Sequence, residues 1–357
     1  MGQCVLVGAR SHSVSRTPAP RALLARFMIV LLASSTVSCS SSRAEPSSGS
    51  TTAYLYEVLD VVNAEAYFSN RVDFTAWHDR IARRASGPPI SYYDMVQLTG
   101  QILLDLGDRH STRLSPGEYA HLQARIDDST LSTTAPSGTA RAGDVGYLAI
   151  PAVTAAAGSG AYDAYVVAAH QLLQQPACGW ILDLRGNGGG SAPPMMAAVA
   201  PLLGPGTFLG YIDRDRTIFG YQTSDSRVTT VAGAHLGPNP TLVGASATRL
   251  DMAPVAILID GRTASAAEGV VVAFIGRGLT RSFGAPTYGV PTGNSAIPLA
   301  DGSALNLTTA VTIDRLGTTH DGPLPPDVAV AANTSGSDDT TVTAATAWLS
   351  QQAACRR

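Results

Sequence analysis

Ser265 sits where an acyl-transfer nucleophile is wanted. It lies in Gly261-Arg-Thr-Ala-Ser-Ala-Ala-Glu268, after the apolar run 255–259 and before a helix-like run, 269–275. A hydroxyl at a strand-to-helix turn is exposed, and the helix N-terminus behind it favours developing negative charge. Nucleophile and oxyanion donor can then share one backbone bend. A second turn of the same kind lies upstream, Gly179-Trp-Ile-Leu-Asp-Leu-Arg-Gly-Asn-Gly-Gly-Gly190. Its Gly188 and Gly189 offer bare amides that can approach a tetrahedral intermediate with no Cβ in the way. Together with the amide of Ala266 they make the expected oxyanion hole. The competing readings are a helix N-cap for Ser265 and a tight turn without a ligand for the glycines. No Lys-Ser/Thr follows the glycines, so a phosphate-binding P-loop is excluded.

Who takes the serine's proton is narrowed by an absence. All 24 basic residues are arginines and the chain has no lysine. A lysine general base is excluded, which leaves the seven histidines and the carboxylates. Three histidines, His78, His121 and His170, are read on helix surfaces. His12 falls in the leader, and His235 in a Gly/Pro-rich loop. Asp183 and Arg185 are expected to lock the glycine turn as a buried pair and to act through its geometry.

These residues need a scaffold, and 357 residues with 45% hydrophobic content are enough for one or two domains with a sizeable core. The slightly negative charge gives no reason to expect nucleic-acid binding. No Cys/His spacing suggests zinc, and no cofactor is implied. Arg10, Arg16, Arg21 and Arg26 precede an apolar stretch, 27–33, then small residues and Cys39. This is a secretory signal over 1–38, with an apolar run too short for a permanent span. It is similar to a bacterial lipoprotein signal in which Cys39 becomes the lipidated first residue, with Thr36 where leucine is usual. Cleavage near Ala44 is the alternative. Residues 39–52 read as a serine-rich tether, and the protein is expected outside the membrane, anchored by lipid or secreted. Removing residues 1–38 leaves 20 basic against 27 acidic residues, a net charge of −7. With Cys39 lipidated, Cys178 and Cys355 are the remaining mature thiols, either paired or free.

Periodicity predicts a helical domain over 53–126, with helices carrying Tyr54, Val58 and Val62, then Trp77 and Ile81, then Met95, Leu98, Ile102 and Leu106. The last of these starts at a Ser91–Asp94 cap and ends at Gly107. A Ser/Thr/Ala/Gly-rich linker covers 127–144. From 145 to 357 strands alternate with helices, which predicts an α/β core with parallel strands. Strands are expected at 145–151, 180–184, 208–212, 255–259, 279–283, 296–299 and 305–313. Helices are expected at 162–175, 194–203, 264–275 and 341–351.

Taken in order, Gly146-Tyr-Leu-Ala-Ile150, Ile181 to Gly190, Thr263 to Glu268, and Pro326-Asp327 resemble the S41 peptidases. That family includes C-terminal processing peptidases, tricorn-core proteases and nisin resistance proteins. The resemblance covers about residues 53–333 and implies a ClpP/crotonase-like ββα core, preceded here by the small N-terminal helical bundle. Some members use a Ser–Lys dyad and carry a PDZ domain. This chain has no lysine, and its linker is too short for a PDZ domain, since domains rarely run below about 50 residues. It therefore resembles the PDZ-less, Ser–His branch. The family's histidine lies in an Asp-Gly-His-Thr-like motif, which Asp108-Arg-His-Ser111 matches with Arg109 in place of glycine. The resemblance thus implies His110 as general base for Ser265. Two carboxylates are candidates to orient His110. Glu268 lies on the first turn of the serine's helix. Asp321, beside His320, precedes Pro326-Asp327, where tricorn-like members place an acid.

The resulting expectation is an exported serine peptidase that cleaves peptides or unstructured C-terminal tails through an acyl-enzyme. The substrate would bind extended beside core strands. The alternative is a non-catalytic peptide or small-ligand binding protein on the same fold. A crotonase-like acyl-CoA enzyme is disfavoured by export and by the lack of lysine for a nucleotide phosphate.

Overall fold

The computed structural model describes residues 48–127, 134–140, 144–155, 159–224, 227–230, 250–331 and 339–356. The stretch 1–38 read as a leader, Cys39 and His235 lie outside them. Helix α1 (Ser48–Glu65) begins inside the stretch read as a tether. The reason is packing. Thr51 is buried and its hydroxyl donates to the Ile90 carbonyl at 3.0 Å, while Tyr54, Leu55, Val58, Leu59 and Val62 form one buried stripe. Helix α2 (Phe74–Ala85) starts at Asp73, whose carboxylate accepts from the Ala76 N–H, and buries Trp77 and Ile81. Helix α3 (Tyr92–Asp105) starts at Ser91, which accepts from the Asp94 N–H. The chain then leaves through Gly107 at φ 67°. A short strand β1 (Thr112–Leu114) and helix α4 (Pro116–Asp127) follow.

The core chain continues with β2 (Ser137–Thr139), β3 (Val145–Ala149), α5 (Gly160–Leu173), β4 (Gly179–Asp183), α6 (Ala192–Leu203), β5 (Gly206–Asp213), β6 (Ile218–Ser224) and β7 (Arg227–Thr230). After it come β8 (Val255–Ile259), α7 (Ala266–Phe274), β9 (Thr280–Gly284), β10 (Thr292–Pro298), β11 (Ala304–Asp314), β12 (Thr319–His320), β13 (Val328–Ala329) and α8 (Thr340–Ser350). They form two sheets where a single parallel core was expected. One sheet has the order β13-β9-β8-β4-β3-β2. It is parallel except for β2, which lies within the stretch read as linker and pairs antiparallel with β3. The other runs β1-β11-β5-β6-β7, with β10 and β12 also on β11, and is antiparallel throughout. The strands at 208–212, 296–299 and 305–313 belong there. No helix separates β5 from β6 or β10 from β11, so hairpin pairing replaces the crossover that parallel strands need.

Period-2 alternation assigns each face. Leu148, Leu182, Val255, Ile257 and Ile259 point into the main core with α5, α6, α7 and the inner face of the antiparallel sheet. Ile181, Ala256, Leu258 and Phe283 point the other way, under Ala345 and Leu349 of α8. On the far face of the antiparallel sheet, Ile212, Leu305, Leu307 and Val311 pack with α1, α2 and α3. Each fully buried side chain of this kind contributes roughly 1.5–3 kcal/mol. The described chain is thus an α/β fold with its helical bundle laid against the antiparallel sheet. Cys178 and Cys355 form a disulfide, 177 residues apart in sequence. His170, read as a helix-surface residue, is instead buried, with Nε2 at 2.9 Å from the Ala197 carbonyl, because α6 packs across that face of α5.

Candidate active site

Two parallel neighbours, β4 and β8, end side by side, and the turns after them build the site. The turn after β8 closes on itself. The Asp260 N–H donates to Thr263 Oγ1 at 3.0 Å, and Asp260 Oδ1 accepts from Arg262 N–H at 2.9 Å. It also grips its neighbour. Asp260 Oδ1 accepts from Gly186 N–H at 3.0 Å, Thr263 Oγ1 donates to the Leu184 carbonyl at 2.9 Å, and Ala264 N–H donates to the Asn187 carbonyl at 2.9 Å. Held this way, Ser265 adopts φ 53° and ψ −119°. A non-glycine residue there is strained by about 1–3 kcal/mol, and such strain survives only where surroundings over-determine it. The half-buried serine then leads directly into α7, the geometry of a nucleophile elbow.

The glycine turn after β4 is shaped to meet it. Asn187, buried, donates from Nδ2 to the Ile150 carbonyl at 2.8 Å and accepts from the Gly189 N–H at 2.8 Å. Gly189 has φ 95°, and a Cβ there would stand 2.8 Å from Ser265 Cβ. Only glycine allows the two turns to approach so closely. A Cβ on Gly188 would meet open space. The Gly188 and Ala266 N–H groups have no acceptor among the described residues. Gly189 differs from expectation. Its amide is used by Asn187, so its part is steric, and the available donors are Gly188 and Ala266.

Arg185 and Asp183 form the expected pair. Arg185 Nε donates to Asp183 Oδ1 at 2.9 Å and Nη2 to Oδ2 at 2.6 Å. Asp183 also accepts from the Tyr147 hydroxyl. The hydrogen bonds to Asp183 hold the guanidinium protonated still more firmly than usual. Its remaining donors reach Asp339, the N-cap of α8, at 2.8 and 3.0 Å.

His110 arrives from the far side of the antiparallel sheet, on the loop between α3 and β1. Asp108 shapes that loop, accepting from the N–H groups of His110 and Ser111 at 2.9 and 2.6 Å and from the Ser111 hydroxyl at 2.8 Å. The His110 carbonyl accepts from Asn294 Nδ2 at 3.1 Å and Asn306 Nδ2 at 3.4 Å. Its ring Nδ1 lies 2.6 Å from Thr292 Oγ1, while Nε2 has no partner among the described residues. Burial pushes the imidazole below its ordinary pKa of 6.5, and the Asp108 charge works against that. Next to it, Arg109 donates to the Tyr288 carbonyl and lies over the Tyr288 ring, 4.7 Å from its centre.

Glu268 joins the two halves, in a role other than the one expected. Fully buried, it accepts at Oε2 from the N–H groups of Ser265 (2.8 Å) and Val290 (2.9 Å), and at Oε1 from Thr287 Oγ1 (2.5 Å) and Gly289 N–H (2.8 Å). The loop 287–290 is thereby tied to the nucleophile turn, and Thr292, two residues on, meets His110. These four donors saturate the carboxylate, and it makes no hydrogen bond to His110. Asp321 does not reach His110 either. It is exposed, without a hydrogen bond or ion pair among the described residues, and the adjacent His320 ring is drawn to Asp314 at 2.9 Å. Thr292, Asn294 and Asn187 escaped sequence reading. Only Asn187 carries a sequence signal, its place inside the glycine turn.

No hydrogen bond joins Ser265 and His110 among the described residues. The contacts through Glu268, Val290 and Thr292 nonetheless bring a strained serine, two free amides and an imidazole with an open Nε2 into one neighbourhood. Chemically, that set can attack a carbonyl, bind the oxyanion and shuttle one proton.

Residues 144–330, just over half of the chain, match the sequence profile of peptidase family S41. A nisin-resistance protein of Lactococcus lactis subsp. lactis is 30% identical over 151 residues, which is 42% of this chain and 45% of that protein. The match therefore spans less than half the length of that relative. A lipoprotein from Streptococcus agalactiae shares the fold at a TM-score of 0.65, with 23% identity over 87% of this chain and 99% of that one. The photosystem II D1 C-terminal processing protease does so at 0.56, with 15% identity over 85% and 98%. The chain belongs to peptidase family S41 and has that family's serine-peptidase fold.

Proposed function

We propose that this protein is an exported serine peptidase that cleaves peptides or unstructured C-terminal tails through an acyl-enzyme. Ser265 Oγ attacks the scissile carbonyl while His110 Nε2 takes its proton. The Gly188 and Ala266 amides receive the oxyanion, aided by the N-terminus of α7. His110 then protonates the leaving amine, and water repeats the sequence to free the enzyme. The observation that carries this reading is the strained Ser265 backbone, locked beside two amides that have no acceptor among the described residues. A substrate strand would lie extended beside core strands near Ser265. The names of the relatives, a C-terminal processing protease among them, support the substrate class.

Export is supported by the leader at 1–38 and by the Cys178–Cys355 disulfide, a bond that persists in oxidising compartments. Lipidation at Cys39 would hold the enzyme to the membrane, in keeping with the lipoprotein that shares its fold. Cell fractionation tests the anchor. Cys39→Ser should move the protein from the membrane to the soluble fraction, and wild type already soluble with an N-terminus beyond Cys39 would refute it. The catalytic reading is tested by hydrolysis of a peptide library with wild type and Ser265→Ala. Turnover lost in the variant supports it. Tight binding without turnover by the wild type would make the protein a binder.

A further inference from the structure

We infer that Thr292, backed by Asn294, is the positioning residue that orients His110, so that no carboxylate is hydrogen-bonded to the ring of the proposed base. The inference rests on the Ser265–His110 reading above and adds to it the identity of the missing third member.

Asn294 Nδ2 donates to the His110 carbonyl at 3.1 Å. That fixes which way the amide faces, and its Oδ1, an acceptor only, must point at its other neighbours. Those neighbours are the hydroxyls of Thr292 at 3.4 Å and Thr308 at 3.3 Å. A threonine hydroxyl has a single proton. The Thr292 proton can point at Asn294 Oδ1, 3.4 Å away, and in that arrangement the ring is the donor and Thr292 Oγ1 the acceptor in the 2.6 Å contact to His110 Nδ1. In the proposed arrangement neutral His110 carries its proton on Nδ1 and its lone pair on Nε2, the nitrogen without a partner among the described residues. That is the tautomer a general base for Ser265 requires.

Burial makes this arrangement effective. Thr292 is buried, and it sits at the first position of β10, paired with Val311 in β11. Its rotamer is thus set by the sheet. The ring faces few charges. Glu268 is saturated, Asp321 makes no contact with it, and Asp108 spends its oxygens on the loop's own donors while acting on the ring at a distance. The relay is neutral from Thr292 to Asn294. It sets the tautomer and aim of the base, and leaves charge stabilisation of the imidazolium to Asp108.

The test combines kinetics with a spectroscopic readout. Thr292→Val keeps the shape and removes the acceptor, and Thr292→Ser keeps the acceptor. The valine variant should lose roughly 10- to 100-fold in kcat with KM little changed, and the serine variant should recover most of it. Nitrogen-15 NMR of His110, recorded at pH 8 in the Ser265→Ala background, should show the Nδ1–H tautomer in the parent and a mixture or the Nε2–H tautomer in Thr292→Val. This readout needs no turnover. A valine variant with kcat within twofold of wild type, or a parent ring in the Nε2–H form, would overturn the inference. If Ser265→Ala and His110→Ala both leave turnover intact, the underlying Ser265–His110 assignment fails instead, a result distinct from either of these.

Discussion

Ser265 is braced mainly by its own turn and the adjoining glycine turn, with Glu268 three residues away as a clamp. His110 is braced by Thr292, Asn294 and Asn306, which lie 182 to 196 residues downstream. The difference fits the roles proposed for the two residues. A strained nucleophile backbone has to be over-determined at short range or it relaxes. A base only has to be aimed, and aim can be supplied by whatever the tertiary fold places beside it. Damage to the first region should therefore cost stability and activity together, and damage to the second should cost activity with little stability.

The largest effect should come from removing either reacting group. Ser265→Ala should lower peptide turnover by about 10⁴-fold or more, His110→Ala should be nearly as severe, and the double variant little worse, because the two act as one unit. Steady-state kinetics on all three variants checks this, and additive losses would argue against a dyad.

Next in size is Glu268→Gln, which breaks the comparison from the serine side. One of the two amide positions becomes an NH2 facing buried N–H or O–H donors, at about 1–3 kcal/mol for each unsatisfied group. Denaturant unfolding should report that loss together with a fall in kcat. Asn306→Ala, on the histidine side, should cost less than about 1 kcal/mol and lower kcat by less than tenfold. Equal stability losses in the two variants would erase the proposed contrast.

The Cys178–Cys355 disulfide lies in neither region and closes a loop of 177 residues. Chain entropy gives such a bond about 5 kcal/mol at most. Unfolding of Cys355→Ser should show a loss up to that size, while native-state kcat at low denaturant stays within a few-fold of wild type.

The smallest effect is a displacement on the pH axis. As the proposed base His110 must be neutral to accept a proton, and burial keeps its pKa below 6.5. The acid limb of kcat/KM should accordingly fall below pH 6.5. The Asp108 charge favours the protonated ring, so Asp108→Asn should move the limb lower still. A limb above pH 6.5 would mean that the burial argument fails.

The same contrast explains what could be read in the sequence. The Ser265 turn, the glycine turn and the Asp183–Arg185 pair are short, contiguous patterns, and their structure follows from local rules for strand ends and helix starts. The helices of the bundle are legible through periodic apolar residues such as Val58 and Ile102. The antiparallel sheet was less so. Its strands at 208–212 and 305–313 have the right residues, but their partners are decided by tertiary contacts, and periodicity does not say whether neighbours run parallel. Thr292 and Asn294 look like ordinary polar residues at a strand start. They acquire meaning only because β11 carries them to the loop of His110. Glu268 was visible as an acid on the first turn of α7, but its four donors come largely from residues 287–290, which folding brings in.

Labelling with a fluorophosphonate probe, followed by mass mapping of the modified peptide, tests Ser265 as the nucleophile directly. A single adduct on Ser265 is expected, absent in Ser265→Ala and formed far more slowly in His110→Ala. No adduct on the folded protein, or an adduct on another residue that persists in Ser265→Ala, would contradict it.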